Sequence, residues 1–282
     1  MKKIIDVSQF NGEIDLAKAE KDIDGLIARC SWGWGNGQFD TQWFHNAKQA
    51  NALHVPLFAY HFAYAKTKEE AVLEAKLALS ACRNYEVHVI YYDIEYSEFQ
   101  GDLTPEEYYE IAKTFCDEIE ANGYAVGIYA NEYYFKTKLI NAGFSKWTLW
   151  LANYGNNDGY DNWDGRLEYN PFGHVLIHQF TSNAKKGVLK GIEGIPSEGL
   201  DCSADFGLLE TFVKKEEVEQ VIKVNSKVKV KPDATWYDGS SIPSFVFDSI
   251  YIVLEIRNDR VVIGKHQKVT GAIRKEDLIV VA

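Results

Sequence analysis

Cysteine is scarce and scattered: Cys30, Cys82, Cys116 and Cys202 form no CxxC pair and no Cys/His ligand spacing. That excludes a disulfide framework and a zinc module, and marks the four as reduced core residues. Long apolar runs are missing as well. None approaches the ~20 residues of a membrane-spanning helix, and Met-Lys-Lys leads straight into a strand carrying Asp6 rather than into a signal-peptide core. The expectation is a chain made in the cytoplasm, without membrane insertion, that needs another agent to reach any target outside. Positive charge is short over residues 1–212, which hold 18 Lys+Arg against 31 Asp+Glu, so nucleic acid is not expected as a partner of that part. No GxGxxG or GxxxxGK[ST] stretch is present, and no cofactor is predicted. HxH and HExxH spacings are absent too, so His61, His88 and His178 read as core or supporting groups rather than metal ligands. Met1 is the only methionine, so a separately initiated tail would need a non-ATG start.

What is present suffices for one large core and a small second one: 46% of the residues are hydrophobic and 14% aromatic. Strand-like runs recur at Lys3–Val7, Gly25–Ser31, Val55–Phe62, Val87–Glu95, Ala125–Tyr129, Thr148–Asn153 and His174–Phe180, with a short eighth ending near Asp201. Helical patterns fall near 15–22, 40–51, 67–83, 105–121 and 131–141. Thr104-Pro105-Glu106-Glu107 supplies an N-cap, a proline at the first helical position and a reciprocal glutamate. Residues Tyr154 to Gly173 are rich in Asn, Gly and Asp, which predicts a long loop where a helix might have stood. The fold class is α/β: a modified (β/α) TIM-like barrel of eight strands and about five helices over residues 1–212. In such barrels the C-terminal strand ends carry the chemistry.

Strand four has the most pointed ending. His88-Val-Ile-Tyr-Tyr-Asp-Ile-Glu-Tyr96 closes on Asp93 and Glu95, and residues two apart on a strand project to one face. Two carboxyls that close, among tyrosines, hold a proton to higher pH than an exposed carboxylate does, as a general acid requires. The other strand ends place Asp6, Trp32, Trp34, Tyr60, Tyr64, Tyr129, Asn131, Trp150, Asn153, Tyr154, Gln179 and Asp201 at the same mouth. Aromatic faces stack on sugar C–H faces while acids and amides bond hydroxyl and acetamido groups, so this mixture suits a saccharide.

Asp6-Val-Ser-Gln9, Tyr60-His-Phe-Ala63, Asp93-Ile-Glu95, Trp150-Leu-Ala-Asn-Tyr154, His178-Gln-Phe-Thr181 and the late Asp201 together resemble glycoside hydrolase family 25, lysozymes often found as phage endolysins. The resemblance implies an N-acetylmuramidase that cuts the β-1,4 bond between N-acetylmuramic acid and N-acetylglucosamine in Gram-positive peptidoglycan. It makes Glu95 the general acid/base and Asp93 its partner, with Asp6 and Asp201 completing the catalytic cluster. Tyr60, Tyr64, Tyr129, Trp150, Tyr154 and Gln179 become the substrate-binding set. Exit to the wall would be through a holin. The chain departs from the family pattern at Asp201-Cys-Ser and at Trp34-Gly-Asn-Gly37. Either direct attack by a carboxylate or assistance by the substrate's acetamido group would retain configuration, and the sequence leaves both open.

Residues 213–226, with the run Lys214 to Glu219, read as a solvated linker. Beyond it, 227–282 hold 9 Lys+Arg against 7 Asp+Glu and several short strands, with Asn258-Asp259 as a hairpin turn. This part resembles bacterial SH3-like wall-binding domains at Thr235-Trp-Tyr-Asp-Gly-Ser-Ser-Ile-Pro243 and Thr270-Gly-Ala-Ile273. Trp236 and Tyr237 are its candidate contacts to wall-associated polymers. No homo-oligomer is indicated. Two other classes stay open: a non-catalytic peptidoglycan-binding protein, and a metal-dependent hydrolase in which Asp6, Asp93, Glu95 and Asp201 hold Mg²⁺ or Ca²⁺.

Overall fold

Eight strands close in chain order into a barrel: β1 Lys3–Val7, β2 Gly25–Trp32, β3 Leu57–Phe62, β4 Val89–Asp93, β5 Ala125–Asn131, β6 Thr148–Ala152, β7 Val175–Thr181 and β8 Asp201–Asp205. The structure, a computed structural model, describes residues 1–101, 103–212, 222–232, 234–247, 249–265 and 268–281. It divides into two compact units, 1–209 and 210–282.

Strands β1 to β7 run parallel, whereas β8 is antiparallel to both of its neighbours. The expected eighth strand ending near Asp201 therefore begins there instead. After β7 the chain crosses the barrel mouth and never returns to the far end. Leu200 N–H donates to the Ser182 carbonyl (3.1 Å) and Ala184 N–H to the Leu200 carbonyl (3.0 Å), so residues 182–200 close on themselves at the mouth. The next strand can only run downward, and its first residue stands where the parallel strands have their last.

The helices that flank the barrel include α1 Leu16–Ala19, α2 Trp43–Ala52, α3 Lys68–Cys82, α4 Ser97–Gln100, α5 Pro105–Ala121 and α6 Glu132–Thr137. The capping box at Thr104 forms as its sequence predicts, the Thr104 hydroxyl accepting from Glu107 N–H and the Glu107 carboxylate from Thr104 N–H. In α3, Ala71, Glu74, Ala75, Ala78 and Cys82 share the buried face, so one carboxylate occupies a core position of the helical period. No α-helix stands between β6 and β7, only a single 3-10 turn at Pro171–Gly173. Residues 154–170 form the expected loop, pinned by Asn157, whose Oδ1 accepts from Thr181 Oγ1 (2.8 Å) and Ser182 N–H (2.9 Å).

Two apolar layers result. One lies between strands and helices and contains the four free, buried cysteines. The other fills the barrel with inward residues such as Ile4, Phe58, Tyr91 and Trp150. Gly127 on β5 has no room for a side chain, because a Cβ there would collide with the Tyr91 ring.

The second unit is an antiparallel five-stranded sheet in the order β12-β11-β10-β9-β13, with β9 Lys227–Val230, β10 Tyr251–Arg257, β11 Arg260–Lys265, β12 Lys268–Arg274 and β13 Leu278–Val280. Asn258, at φ 54°, makes the turn of the β10–β11 hairpin. Thr270-Gly-Ala-Ile273 is the middle of β12, with Gly271 leaving space for the Trp236 ring above it. Tyr251 is buried in the core beside Val228, Val253, Val261 and Ile263. Within the predicted linker, residues 213–221 lie outside the described ones, and Ile222 is buried in this second core.

Candidate active site

Two neighbouring strands of opposite direction bring the first pair of acids together. Asp6, on β1, stands in register with Asp201 at the start of β8. Asp6 is 5% exposed. Burial, reinforced by the charge of Asp201, holds its carboxyl well above the usual range. Asp201 is raised to about 6 by burial, which the hydrogen bond from Asp6 partly offsets. Both carboxyls of the pair thus stand above the usual carboxylate range.

Gln179 on β7 orients this pair. Its Nε2 donates to both Asp6 carboxylate oxygens at 3.0 Å. Its Oε1 accepts from the hydroxyls of Tyr129 and Tyr154, each at 2.9 Å. Every hydrogen-bonding position of the amide that faces the site is occupied, which fixes its rotamer and those of both tyrosines. At 2% exposure Gln179 lies beneath the cleft surface. Trp150 does likewise at 1%: it packs against the rings of Tyr60, Tyr91 and Tyr129 and donates from Nε1 to Ser203 Oγ at 3.0 Å. Both residues form the floor under the cleft rather than a face for ligand stacking.

Asp93 ends β4, and Glu95 stands two residues past the strand rather than on it. Asp93 is 3% exposed, and its Oδ1 has no hydrogen-bond partner among the described residues. Burial, then the charges of Glu95 and Asp6, push its pKa well up, and the Arg29 guanidinium pulls against them. Glu95 is raised by burial and by Asp201, with the Tyr129 hydroxyl beside it drawing it back down. Glu95 lines a cleft of ≈ 360 Å³ with Tyr129, Asn131, Glu132, Tyr133, Asn153 and Tyr154.

An aromatic wall stands beside these acids. Tyr64, expected as a ligand contact, stacks on Phe99 at 4.8 Å and approaches Tyr96 at 5.1 Å, and Trp34 meets Phe99 edge-on at 6.3 Å. Tyr60 is partly buried near Asp6 and Asp93, with its hydroxyl pKa raised by burial. Trp236 and Tyr237 belong to the other unit.

Sequence reasoning passes over three supporting residues. Arg29 interrupts the apolar β2, pairs with buried Asp40 (Nε to Oδ2, 2.8 Å) and supplies a positive charge that acts on Asp93. Phe99 anchors the aromatic wall. Glu74, fully buried, accepts from Tyr64 N–H (2.7 Å), Ala65 N–H (3.0 Å) and the Tyr92 hydroxyl (2.5 Å), tying the loop after β3 to β4 beside Asp93. An Arg within an apolar strand and a Glu on the core face of a helix were the available signals. Among the described residues no group of three or more His, Cys, Asp or Glu side chains is arranged to hold a metal ion.

A family model described as "Glycosyl hydrolases family 25" matches residues 5–189. Among solved structures, the chain is similar to the modular autolysin LytC from Streptococcus pneumoniae, solved with a synthetic peptidoglycan ligand: 27% identity, TM-score 0.59, covering 72% of this chain and 46% of that one. It therefore spans less than half of that autolysin. The CTP1L endolysin shares 24% identity at a TM-score of 0.59, over 77% of this chain and 70% of its own. The spore cortex lytic enzyme SleM from Clostridium perfringens shares 18% identity at a TM-score of 0.61, over 99% of this chain and 86% of its own. No match is found among curated proteins.

Proposed function

Because the chain belongs to glycosyl hydrolase family 25 and is a glycoside hydrolase, we propose that it acts as an N-acetylmuramidase of the endolysin type. Its bond is the β-1,4 linkage from N-acetylmuramic acid to N-acetylglucosamine, and its consequence is lysis of Gram-positive cells. The carrying observation is the convergence of Asp6, Asp93, Glu95 and Asp201 at one barrel mouth, three of them in the matched stretch and the fourth placed by the reversed β8.

Glu95 is the proton donor to the leaving oxygen. It is partly open to the cleft, and burial with a negative neighbour keeps a proton on it where an exposed glutamate would have lost its own. Asp93 faces the developing positive charge. Its place at the end of β4, two residues before Glu95, suits a substrate-assisted route in which Asp93 orients the 2-acetamido group. Asp201 adds its negative charge beside Glu95 and pairs with Asp6, and Gln179 holds Tyr129 and Tyr154 against the cleft. Tyr64, Tyr96 and Phe99 offer ring faces to the sugars. The second unit is a wall-binding module of SH3-like type. Exit through a holin completes the phage reading.

Digestion of purified Gram-positive peptidoglycan, borohydride reduction and mass spectrometry of the fragments test this. The expected result is new muramitol ends with the wild type and none with Glu95→Gln. Glucosaminitol ends or freed peptide amines would assign another bond. A covalent glycosyl ester trapped on Asp93 would overturn substrate assistance.

A further inference from the structure

The β10–β11–β12 ladder places three arginines in a single row. Arg257 pairs directly with Arg260, and Arg260 directly with Arg274. Residues directly opposite on antiparallel strands point to the same face, and like charges so placed repel. Arg257 has a local partner in Glu255, with Nε and Oε1 2.5 Å apart. Arg260 and Arg274 have no carboxylate within 4.0 Å among the described residues. They flank Tyr237 instead, their guanidinium carbons 6.0 and 5.8 Å from its ring centre. An acid of the same turn is engaged with the ring they flank: Asp259 Oδ1 accepts from the Tyr237 hydroxyl at 2.9 Å.

The row resists its own folding, and a polar surface elsewhere on the unit would hold the same sheet without it. Stacking over a ring leaves the donor edges of a guanidinium facing outward, in the planar fork that fits phosphate oxygens in pairs. Arg274 and Lys275 also line the adjoining open cleft with Lys231, where three basic residues face the two acids Asp259 and Glu276. We propose that Arg260 and Arg274, seated on Tyr237, form a binding site for the phosphodiester groups of an anionic wall polymer. This rests on the reading of the second unit as a wall-binding module, and specifies which wall component it engages. Strands about 4.8 Å apart make the row about 10 Å long, enough for one phosphodiester and its flanking groups.

The test uses the full-length chain carrying Glu95→Gln, which leaves the wall uncut, and measures its binding to native Gram-positive walls and to walls stripped of phosphodiester-linked polymer with hydrofluoric acid. Stripping is expected to weaken binding at least tenfold, and added salt to weaken binding to native walls only. R260Q/R274Q is expected to bind native walls as poorly as the parent binds stripped ones, with R260K/R274K between them. Two controls separate site loss from misfolding. With Glu95 restored, R260Q/R274Q is expected to cut soluble glycan fragments at the wild-type rate. Its melting temperature is expected to equal or exceed the parent's, because the like-charge pair is gone.

Equal binding to native and stripped walls, or undiminished binding by a folded R260Q/R274Q, would overturn the site and leave wall targeting standing. Competition by inorganic phosphate as strong as by a polyol-phosphate polymer at equal phosphorus would reduce the site to a single-ion one and overturn the polymer assignment. Absence of binding to either wall would overturn the targeting reading itself, while fragment digestion still reports on the barrel.

Discussion

Tyr129 and Asp201 act on Glu95 in opposite directions, which makes the assignment of the acid measurable. The Tyr129 hydroxyl beside Glu95 lowers its pKa, and the charge of Asp201 raises it. If the alkaline limb of activity reports loss of the Glu95 proton, Tyr129→Phe is expected to move that limb to higher pH and Asp201→Asn to lower pH. The profile of kcat/KM on soluble glycan fragments checks both; movement in the same direction would remove Glu95 from the role. Asp201 also has a stability signature. Its native pKa is raised from 3.8 to about 6, so the stability it contributes is present below pH 4 and lost as pH rises to about 6. At about 1.4 kcal/mol per unit this amounts to about 3 kcal/mol. Asp201→Asn, whose amide oxygen still accepts from Asp6, is therefore expected to raise the melting temperature at pH 7 and leave it unchanged at pH 3, while lowering activity.

The loop of residues 154–170 stands where regular barrels place a helix, and its order depends on a few polar contacts. Asn157 sits at φ 49° and its side chain links the loop to the end of β7 and the residue after it through three hydrogen bonds, one to Thr181 and two to Ser182, while its backbone carbonyl accepts from Asn183. Loss of this side chain leaves partly buried partners unmatched at about 1–3 kcal/mol for the group. Asn157→Ala is expected to destabilise by that order in denaturant titration. It is also expected to reduce activity beyond the stability loss, because Tyr154 enters the loop directly from β6 and shares Gln179 with Tyr129. Full activity in a destabilised Asn157→Ala would detach the loop from the site. Helix α5, by contrast, is set by its own first turn. Thr104→Ala removes one half of a capping box and is expected to cost about 1 kcal/mol without changing KM, as thermal melts and kinetics together would show.

At the scale of the whole molecule, two units on one chain imply that binding by one raises the effective concentration of the other at a wall. Removal of residues 227–282 is expected to depress lysis of intact cells far more than hydrolysis of soluble fragments. Turbidity clearing measured beside fragment release checks this, and equal losses would contradict a targeting role. The charge division agrees with it: the barrel region is strongly acidic, whereas the tail is mildly basic and holds three of its arginines in one row.

Local patterns in the sequence determined most of the elements. Apolar runs bounded by turn residues marked seven barrel strands and the existence, though not the span, of an eighth, the Thr104 box marked the start of α5, and the spacing of Asp93 and Glu95 put two acids at one strand end. Such signals are legible because they arise within a few residues. Gly271 hid β12, since a glycine in a strand is readable only once the Trp236 ring above it is known. Tertiary structure alone decided the direction of β8, because it depends on where residues 182–200 cross the mouth. It also decided that Trp150 and Gln179 lie under the cleft, that Arg29 faces Asp93, and that Glu74 holds the loop after β3. Each of those depends on partners distant in the chain, and only closure of the barrel brings them within reach of one another.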